Sequence, residues 1–377
     1  MTVNFILESF KNIKTLESRT RKEETYNKKT SVNNFTNIFP LTKATSKIIL
    51  QRWLALTALW IIGASFWSLC PFFKNILMKE TQDVLWNCSF VYFFAGLIWE
   101  ISQAAFNNKG YVDSRSQSTT FFETIFSLVK SPQQAIKDFS YEKKQSILFF
   151  TVRGFFLPVM LNTFVSHYYS FVIPASLTDA WTKFTNLNWM QDFVFFVDVI
   201  PFALAYLFNF GNFRTKSIDI NFVGWFFCLA CYPPFNTAFG EFFPFYHDDF
   251  SGWWGWISLA FIAVYSWASV ALGLRSGHLQ YRGLCQSGPY AIVRHPAYAF
   301  KTLSWWVGTI AWTSLQIQTA NDLKQTSILI AWNLLSASFW TWIYHQRAVT
   351  EEKHLMKYEE YVNYCERVKY RYIPKFI

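Results

Sequence analysis

Residues 250–274 read FSGWWGWISLAFIAVYSWASVALGL, an apolar run without a charged side chain. A helix needs roughly 20 mostly apolar residues to cross the hydrocarbon core of a membrane. Further windows of similar length, each with at most one charge, recur along the chain. Together they predict an all-α integral membrane protein with about eight transmembrane helices. The windows are residues 53–73, 84–106, 154–178, 193–213, 220–240, 250–274, 302–321 and 325–346.

The distribution of Lys and Arg supports this number of spans. If the N-terminus is cytoplasmic, 29 of the 34 basic residues fall in cytoplasmic segments and four on the opposite side. Such an excess agrees with the positive-inside rule. An even number of spans returns the chain to its starting side. We therefore predict that both termini are cytoplasmic, in a bacterial inner membrane or an endoplasmic reticulum.

The composition also argues against a soluble protein and against nucleic-acid binding. The chain is 52% hydrophobic and only 15% charged, which is unusual for a soluble domain. The net charge of +10 follows from the topology, because the basic residues are dispersed among loops without a nucleic-acid-binding module. We expect a membrane partner and no nucleic acid, and we assign no metal site. The oligomeric state is left open.

The predicted organisation has three parts. Residues 1–50 form a polar, basic cytoplasmic arm. Residues 51–274 hold transmembrane helices and a cytoplasmic loop at 107–145, with a short surface helix around 121–129. Residues 275–377 hold two further spans and a cytoplasmic tail. Pro233-Pro234 is expected to break or end the fifth span, and Asp198 lies inside the fourth window without an evident partner.

Two polar clusters carry the chemistry. The first, GPYAIVRHPAY at residues 288–298, begins with a turn signal and precedes an apolar helix. Pro296 forces His295 away from helical geometry, so this segment is a shaped loop. It presents Arg294, His295 and Tyr298 immediately before the span that starts near residue 302.

The second cluster follows the last apolar window. Arg347 and Glu351 are four residues apart and share a helix face, with His354 at the next turn. They form either an ordinary solvated ion pair or a binding site for a zwitterionic ligand such as an amino acid moiety. Aromatic and basic residues then alternate over 358–374, as in an interfacial anchor or a segment that folds back over a pocket.

These pieces occur in a recognisable order: GPYAIVRHPAY, then Arg347-x-x-x-Glu351-Glu352-x-x-Leu355, then a Tyr-rich stretch that closes on Arg371-x-x-Pro374. The ordered set resembles the isoprenylcysteine carboxyl methyltransferase and phospholipid methyltransferase families, over residues 275–377 alone. These are membrane-embedded enzymes that use S-adenosylmethionine. The resemblance implies a cofactor-binding region on the cytoplasmic side and a lipid-like or prenylated acceptor with a carboxyl, amine or thiol group.

The resemblance also implies residue roles. Arg347 and Glu351 would be catalytic and would lie nearest the reacting group. Because methyl transfer is an in-line displacement at a sulfonium, placement of the reactants matters more than acid–base chemistry. A further set would bind the cofactor: Tyr290, Val293, Arg294, His295, Tyr298, Glu352, Tyr361 and Arg371.

Two features depart from the family pattern. Phe300 stands where a glycine commonly follows the His-Pro-x-Tyr segment. The tail also looks like that of membrane sterol reductases, which use NADPH. Their loop typically carries an asparagine and an acid where this chain has Ala297 and Lys301, which favours methyl transfer over hydride transfer. A reductase of that type and a non-enzymatic membrane protein or transporter remain the alternatives.

The enzymatic interpretation depends on one spatial expectation. The loop at 288–298 and the helix that leaves the last span should meet at a single cavity. His295 and Arg347 should then lie at the same end of the helical bundle.

Overall fold

A computed structural model of the chain describes residues 43–106, 116–172, 186–209, 213–244, 252–319 and 322–374. The described residues are predominantly helical, and their only β-structure is one antiparallel pair of two-residue strands. In chain order the elements are α1 (Lys43–Leu69), α2 (Pro71–Ile76), α3 (Lys79–Phe106), α4 (Gln117–Lys130), α5 (Pro132–Lys137), α6 (Tyr141–Val172), α7 (Leu187–Leu207), β1 (Ser217–Ile218), α8 (Phe222–Leu229), α9 (Phe235–Phe242), α10 (Trp253–Leu272), β2 (Gln280–Tyr281), α11 (Pro296–Thr319), α12 (Leu323–Leu355) and α13 (Glu359–Arg367).

The all-α character predicted from the sequence is confirmed. Five helices in the described residues are long and apolar enough to cross a membrane by length and composition: Thr45–Leu69, Lys79–Ala105, Tyr141–Ser170, Leu187–Leu207 and Trp253–Arg275. Large apolar side chains are exposed along them, among them Phe66, Phe94 and Trp267. Such exposure suits contact with lipid rather than water.

The remaining three predicted spans differ in form. The window 302–321 is part of α11 and the window 325–346 is part of α12, both of which are long helices. Their many Trp, Thr, Ser and Gln residues make them less apolar than the other five. The window 220–240, predicted as one helix, forms the two eight-residue helices α8 and α9. Pro233 and Pro234 separate them, because proline lacks the N–H that a helix needs.

The helix bounds refine two of the predicted segments. The arm predicted over residues 1–50 includes residues 43–50, which instead form the first turns of α1; residues 1–42 lie outside the described part. The loop predicted at 107–145 contains α4 and α5 and the start of α6. The short helix expected around 121–129 is confirmed within α4, and residues 107–115 are not among the described residues.

The described residues divide into two compact units: those of 1–64 with 86–136, and those of 65–85 with 137–377. In the first unit, α1 and α3 pack antiparallel. Ile49 packs beside Ala104, and Trp60 stacks on Tyr92 with ring centroids 4.5 Å apart. The Trp53 indole N–H donates to the Phe93 carbonyl at 2.6 Å.

The second unit contains the helices that carry both polar clusters. Its most extensive pairings are α10 with α11, α6 with α7, and α7 with α10. Strand β1 follows α7, strand β2 follows α10, and Ser217 pairs with Tyr281. Helices α7 and α10 therefore end at the same end of the bundle, which we name the β end. Helix α6 begins there too, because the Gln145 side chain bonds both the N–H and the carbonyl of Ile218, at 2.7 and 3.1 Å.

Helices α8 and α9 run along α12 away from the β end. The start of α8 lies beside Thr350, and Phe227 contacts the Trp342 ring. Beyond the proline break, Phe243 stacks on Phe339 at 4.3 Å and accepts the indole N–H of Trp340 at 2.6 Å. The broken pair of helices thus follows α12 from its C-terminal end toward its N-terminal half.

Candidate functional site

A cavity of about 190 Å³ lies at the β end of the second unit, open on one side. Residues from α8, α10, α11, α12 and α13 and from the loops around β2 line it. The polar and aromatic residues of this lining that matter below are Asp219, Tyr232, His278, Gln280, Arg294, His295, Tyr298, Lys301, Tyr344, Arg347, Glu351, His354 and Tyr361. We refer to it as the first cavity.

Arg347, Glu351 and Tyr298 form the inner polar wall of the first cavity. The Arg347 Nε donates to Glu351 at 3.2 Å, and the Tyr298 hydroxyl donates to the same carboxylate oxygen at 2.5 Å. The guanidinium carbon of Arg347 lies 5.2 Å from the Tyr298 ring centroid and 5.5 Å from that of Tyr232. The helix spacing read from the sequence thus produces an ion pair between a buried Arg347 and a partly exposed Glu351, with aromatic faces around the guanidinium.

Glu352, the next residue of α12, forms a different structure. Its carboxylate accepts from Arg294 Nε at 2.8 Å and His295 Nε2 at 3.1 Å, and from Arg371 Nη2 at 2.6 Å. Burial raises the pKa of Glu352, but the hydrogen bonds from His295 and Arg371 outweigh it and hold the pKa well below its ordinary value. We name Arg294, His295, Glu352 and Arg371 the Glu352 clamp.

The clamp fixes the C-terminal tail against the loop at 288–298. The Arg294 N–H donates to the Tyr370 carbonyl at 3.0 Å, and the His295 N–H donates to the Arg371 carbonyl at 2.9 Å. The Tyr364 hydroxyl of α13 donates to the Tyr290 carbonyl at 2.7 Å. The tail therefore folds back over the site, as one of the two sequence interpretations held.

The turn signal at the start of this loop is also confirmed. Gly288 has a φ of +60°, a left-handed conformation that favours glycine. A Cβ added there would lie 3.3 Å from the Ala271 side chain of α10. Gly288 therefore lets the loop pass close to α10, and Pro289 and Tyr290 continue it as a turn of 3₁₀ helix.

A second polar group in this cavity was missed from the sequence. His278 is buried between two tyrosines: its Nδ1 lies 2.7 Å from the Tyr206 hydroxyl, and its Nε2 bonds the Tyr232 hydroxyl. Its ring stacks on Phe156 at 4.3 Å. Burial lowers the pKa of His278 well below its ordinary value, and the charges of Arg347 and Lys301 lower it further. The imidazole is therefore neutral at physiological pH.

Arg282 holds the loop that follows β2 against the end of α7. Arg282 donates to the carbonyls of Ala205, Phe208 and Phe213, and so closes the C-terminal end of α7. Burial lowers the pKa of Arg282 to about 10, which leaves it charged at neutral pH.

At the edge of the cavity, His354 bonds Ser217 at 3.0 Å through Nε2. Its Nδ1 has no hydrogen-bond partner among the described residues and lies 3.7 Å from Asp219. Burial lowers the pKa of His354, and the Asp219 carboxylate opposes that effect.

The structure brings the two predicted clusters together. Of the predicted site residues, the following line the first cavity: Tyr290, Arg294, His295, Tyr298, Arg347, Glu351 and Tyr361. Three others lie behind its wall. Val293 is buried, and Glu352 and Arg371 are occupied by the clamp.

Sequence signals for the missed residues were weak. Tyr232 lies in an apolar window beside two prolines, and His278 is a single histidine after a span. Their pairing joins residues 46 positions apart, and that of His278 with Tyr206 joins residues 72 apart.

Comparisons with protein-family models, curated proteins and solved structures found no match.

Proposed function

We propose that this chain is a membrane-embedded methyltransferase that transfers a methyl group from S-adenosylmethionine to a lipid-like or prenylated acceptor. The observation that carries the proposal is the convergence of the loop at 288–298 and the end of α12 on one cavity. His295 and Arg347, on which the sequence argument depended, both line it.

The residues of the first cavity fit the cofactor chemically. S-adenosylmethionine supplies a methyl group on a positively charged sulfur. A carboxylate and aromatic faces stabilise such a cation, and Glu351 lies beside Tyr298 and the Arg347 guanidinium. Two buried polar atoms without hydrogen-bond partners, Gln280 Nε2 and His354 Nδ1, belong to residues of the same lining. They are available to polar groups of a ligand.

The cavity volume limits which part of the cofactor is enclosed. About 190 Å³ is below the roughly 300–1,000 Å³ of ordinary small-molecule pockets. It would enclose only a part of the molecule, which suits the sulfonium end.

In this arrangement the residues of the chain would act chiefly by positioning the cofactor and the acceptor. Glu351 and the surrounding rings would stabilise the positive charge of the cofactor, and Arg347 positions Glu351 through their hydrogen bond. Tyr298 fixes the orientation of the same carboxylate from α11. Aligned reactants that are screened from water account for a large share of catalysis in a displacement reaction.

We further propose eight membrane crossings with the β end on the cytoplasmic side. Strand pairing requires that the chain leave the β end after β1 and return to it at the end of α10. The α8–α9 pair makes the outward path beside α12. It runs past residues 350 to 332, about 27 Å at 1.5 Å per residue, close to the thickness of a hydrocarbon core.

Helices α11 and α12 make two of these crossings despite their polar residues. The Asn333 amide donates to Thr313 at 2.9 Å and Gln316 at 2.8 Å across the helix pair, and the Trp306 indole donates to Thr341. Polar groups that bond one another in this way are tolerated inside a membrane. Arg275, Arg282 and Lys353, among others, place positive charge at the β end, as the positive-inside rule requires.

The test is transfer of labelled methyl groups from S-adenosylmethionine to a crude lipid and protein extract, together with calorimetric binding of the cofactor to the purified chain. We expect cofactor binding that His295→Ala weakens. We also expect Glu351→Gln and Arg347→Lys to lower turnover more than folded yield. Arg367→Lys is the matched control, because Arg367 bonds Gln286 away from the cavity lining. Absence of cofactor binding to the folded protein would refute the proposal.

One observation favours a second candidate, an NADPH-dependent reductase. Tyr206 is fully buried and accepts the His278 backbone N–H at 2.9 Å, and in the His278 tautomer with the ring proton on Nε2 it donates its own proton to Nδ1. His278 Nε2 then carries the ring proton and donates to the Tyr232 oxygen. The Tyr232 O–H is thereby left to donate to a ligand, as protonation of a substrate after hydride transfer would need.

Binding of NADPH in place of S-adenosylmethionine would favour this second candidate. Tyr232→Phe should then abolish product formation without weakening NADPH binding. In the methyltransferase the same substitution is expected to leave methyl transfer measurable.

A further inference from the structure

A second and larger cavity lies deeper in the second unit. Its volume is about 720 Å³, within the range of pockets that hold drug-sized molecules. It extends from the end of the bundle opposite the β end, where His167, Asn188 and Asp192 line it, to the middle of the bundle. The two cavities share a wall made of Phe202, Tyr232, Tyr265, Lys301 and Tyr344.

Two buried side chains of this second cavity have polar atoms without a partner. Asp198 is 8% exposed; its Oδ2 accepts the Tyr265 hydroxyl at 2.8 Å, whereas its Oδ1 accepts no hydrogen bond from any residue that the structure describes. Gln191 is 6% exposed, and its Nε2 has no acceptor among the same residues. Buried polar atoms are normally satisfied in folded proteins. Two of them in one cavity indicate that a ligand completes the bonding.

The charges of the cavity identify the missing group at Asp198 as a donor. The Lys301 ammonium already lies over the rings of Tyr265, Trp305 and Tyr344, at 5.3 to 5.4 Å. Lys301 and Asp198 attract each other across the cavity, but they are too far apart for a direct salt bridge, so the ammonium does not occupy the free carboxylate oxygen. Asp192 is paired with His167 at 3.1 Å. The open position is therefore a carboxylate oxygen, and the group that suits it best is a cation with N–H donors.

The spacing of the two unpartnered atoms describes the rest of the ligand. Asp198 and Gln191 are seven residues apart on α7, so they lie on one face about 10 Å apart along the helix axis. The aromatic side chains Phe195 and Phe202 lie on this helix and line the same cavity. The ligand between the two polar positions is accordingly apolar.

We propose that the second cavity binds an amphiphilic amine, with its protonated nitrogen on Asp198 and a hydrogen-bond acceptor on Gln191. The site needs no cofactor, so the inference is independent of the proposed methyl transfer. Lys301 is the only Lys or Arg among the described residues that line the cavity. A phosphate group would therefore be poorly neutralised there, and the amine expected is one without phosphate.

The test compares three probes of equal chain length, octylamine, octanol and octanoate, by equilibrium dialysis against the full chain in lipid nanodiscs. Empty nanodiscs provide the partitioning blank. We expect saturable binding of octylamine alone, and about tenfold or greater weakening in Asp198→Asn, since a buried charge-assisted hydrogen bond is lost. Asp192→Asn is the matched control. It also removes one cavity carboxylate from α7, but a carboxylate that His167 already occupies, so less than about threefold weakening is expected.

A fourth probe, 8-aminooctan-1-ol, tests the second contact. It should bind more tightly than octylamine to the native chain, and the difference should vanish in Gln191→Leu.

Equal octylamine binding to the native chain and to Asp198→Asn would overturn the proposal. So would preferential binding of octanoate, which would assign the site to Lys301. If Asp198→Asn does not fold, the comparison of octylamine with octanol and octanoate on the native chain decides.

Discussion

The Glu352 clamp makes a quantitative prediction about the docking of the tail. Glu352→Gln removes the charge that Arg294, His295 and Arg371 share, while it keeps the shape of the side chain. Loss of one partner of a buried ion pair costs about 3–5 kcal/mol. The lower value applies here, because the glutamine carbonyl still accepts one hydrogen bond. A cost of about 3 kcal/mol corresponds to a roughly 150-fold larger population of the undocked tail.

Hydrogen exchange measures this population directly. The backbone N–H groups of Arg294 and His295 donate to the carbonyls of Tyr370 and Arg371, so they exchange only when the tail opens. A peptide that covers residues 288–298 should lose protection by about two orders of magnitude in Glu352→Gln. Trypsin should cleave the variant faster in the tail.

Glu351→Gln is the control for this experiment. Glu351 is the neighbouring residue on α12, but it bonds Arg347 and Tyr298 rather than the tail. Its protection pattern over 288–298 should match that of the native chain. Unchanged protection in Glu352→Gln would refute the inference that the clamp holds the tail in place.

Two further predictions concern buried groups at the β end. Because the folded pKa of His278 lies below that of the unfolded chain, the unfolded state binds the extra proton as pH falls below about 6.5. Thermal unfolding should show a stability that is lower by about 1.4 kcal/mol in total at pH 5.5 than at pH 8 because of this group, and His278→Gln should make the difference smaller. Gln145→Leu leaves the N–H and carbonyl of the buried Ile218 unpaired and should cost about 2–4 kcal/mol in chemical unfolding, whereas Gln145→Glu, which still accepts from the N–H, should cost less.

The helical fold could be predicted from the sequence, because the composition of each apolar window is enough to predict a helix in an apolar environment. The existence and approximate positions of α1, α3, α6, α7 and α10 follow from length and hydropathy, whereas α1 and α6 begin well before their apolar windows. Helices α11 and α12 are less apolar, because they contain polar residues such as Thr313, Asn333 and Thr341. Composition alone does not show that these side chains bond one another within and between the helices. The proline break was predicted, whereas its separation of the window into α8 and α9 depends on contacts with α12.

The site was partly readable for a similar reason. Arg347 and Glu351 lie at helical spacing, and the segment at 288–298 carries its own turn signals, so both were found locally. The sequence analysis assigned both Glu351 and Glu352 to the site. In the structure Glu351 faces the cavity, whereas Glu352 faces the tail. That difference comes from about 100° of rotation between neighbouring helix positions, combined with the packing of α11 and α13.

The break between α8 and α9 has a consequence for how the two cavities relate. An unbroken helix through residues 222–242 would keep its side chains on regularly rotating faces along α12. The break at Pro233 instead places Tyr232 where its ring lines both cavities, with its hydroxyl bonded to His278 and its ring under Arg347. A ligand of the deeper cavity that reaches this wall therefore touches the residue that also contacts the inner ion pair. If the deeper cavity delivers the acceptor, Tyr232 is one of the five side chains that separate acceptor from cofactor, and its substitution by alanine should open a passage between the two volumes.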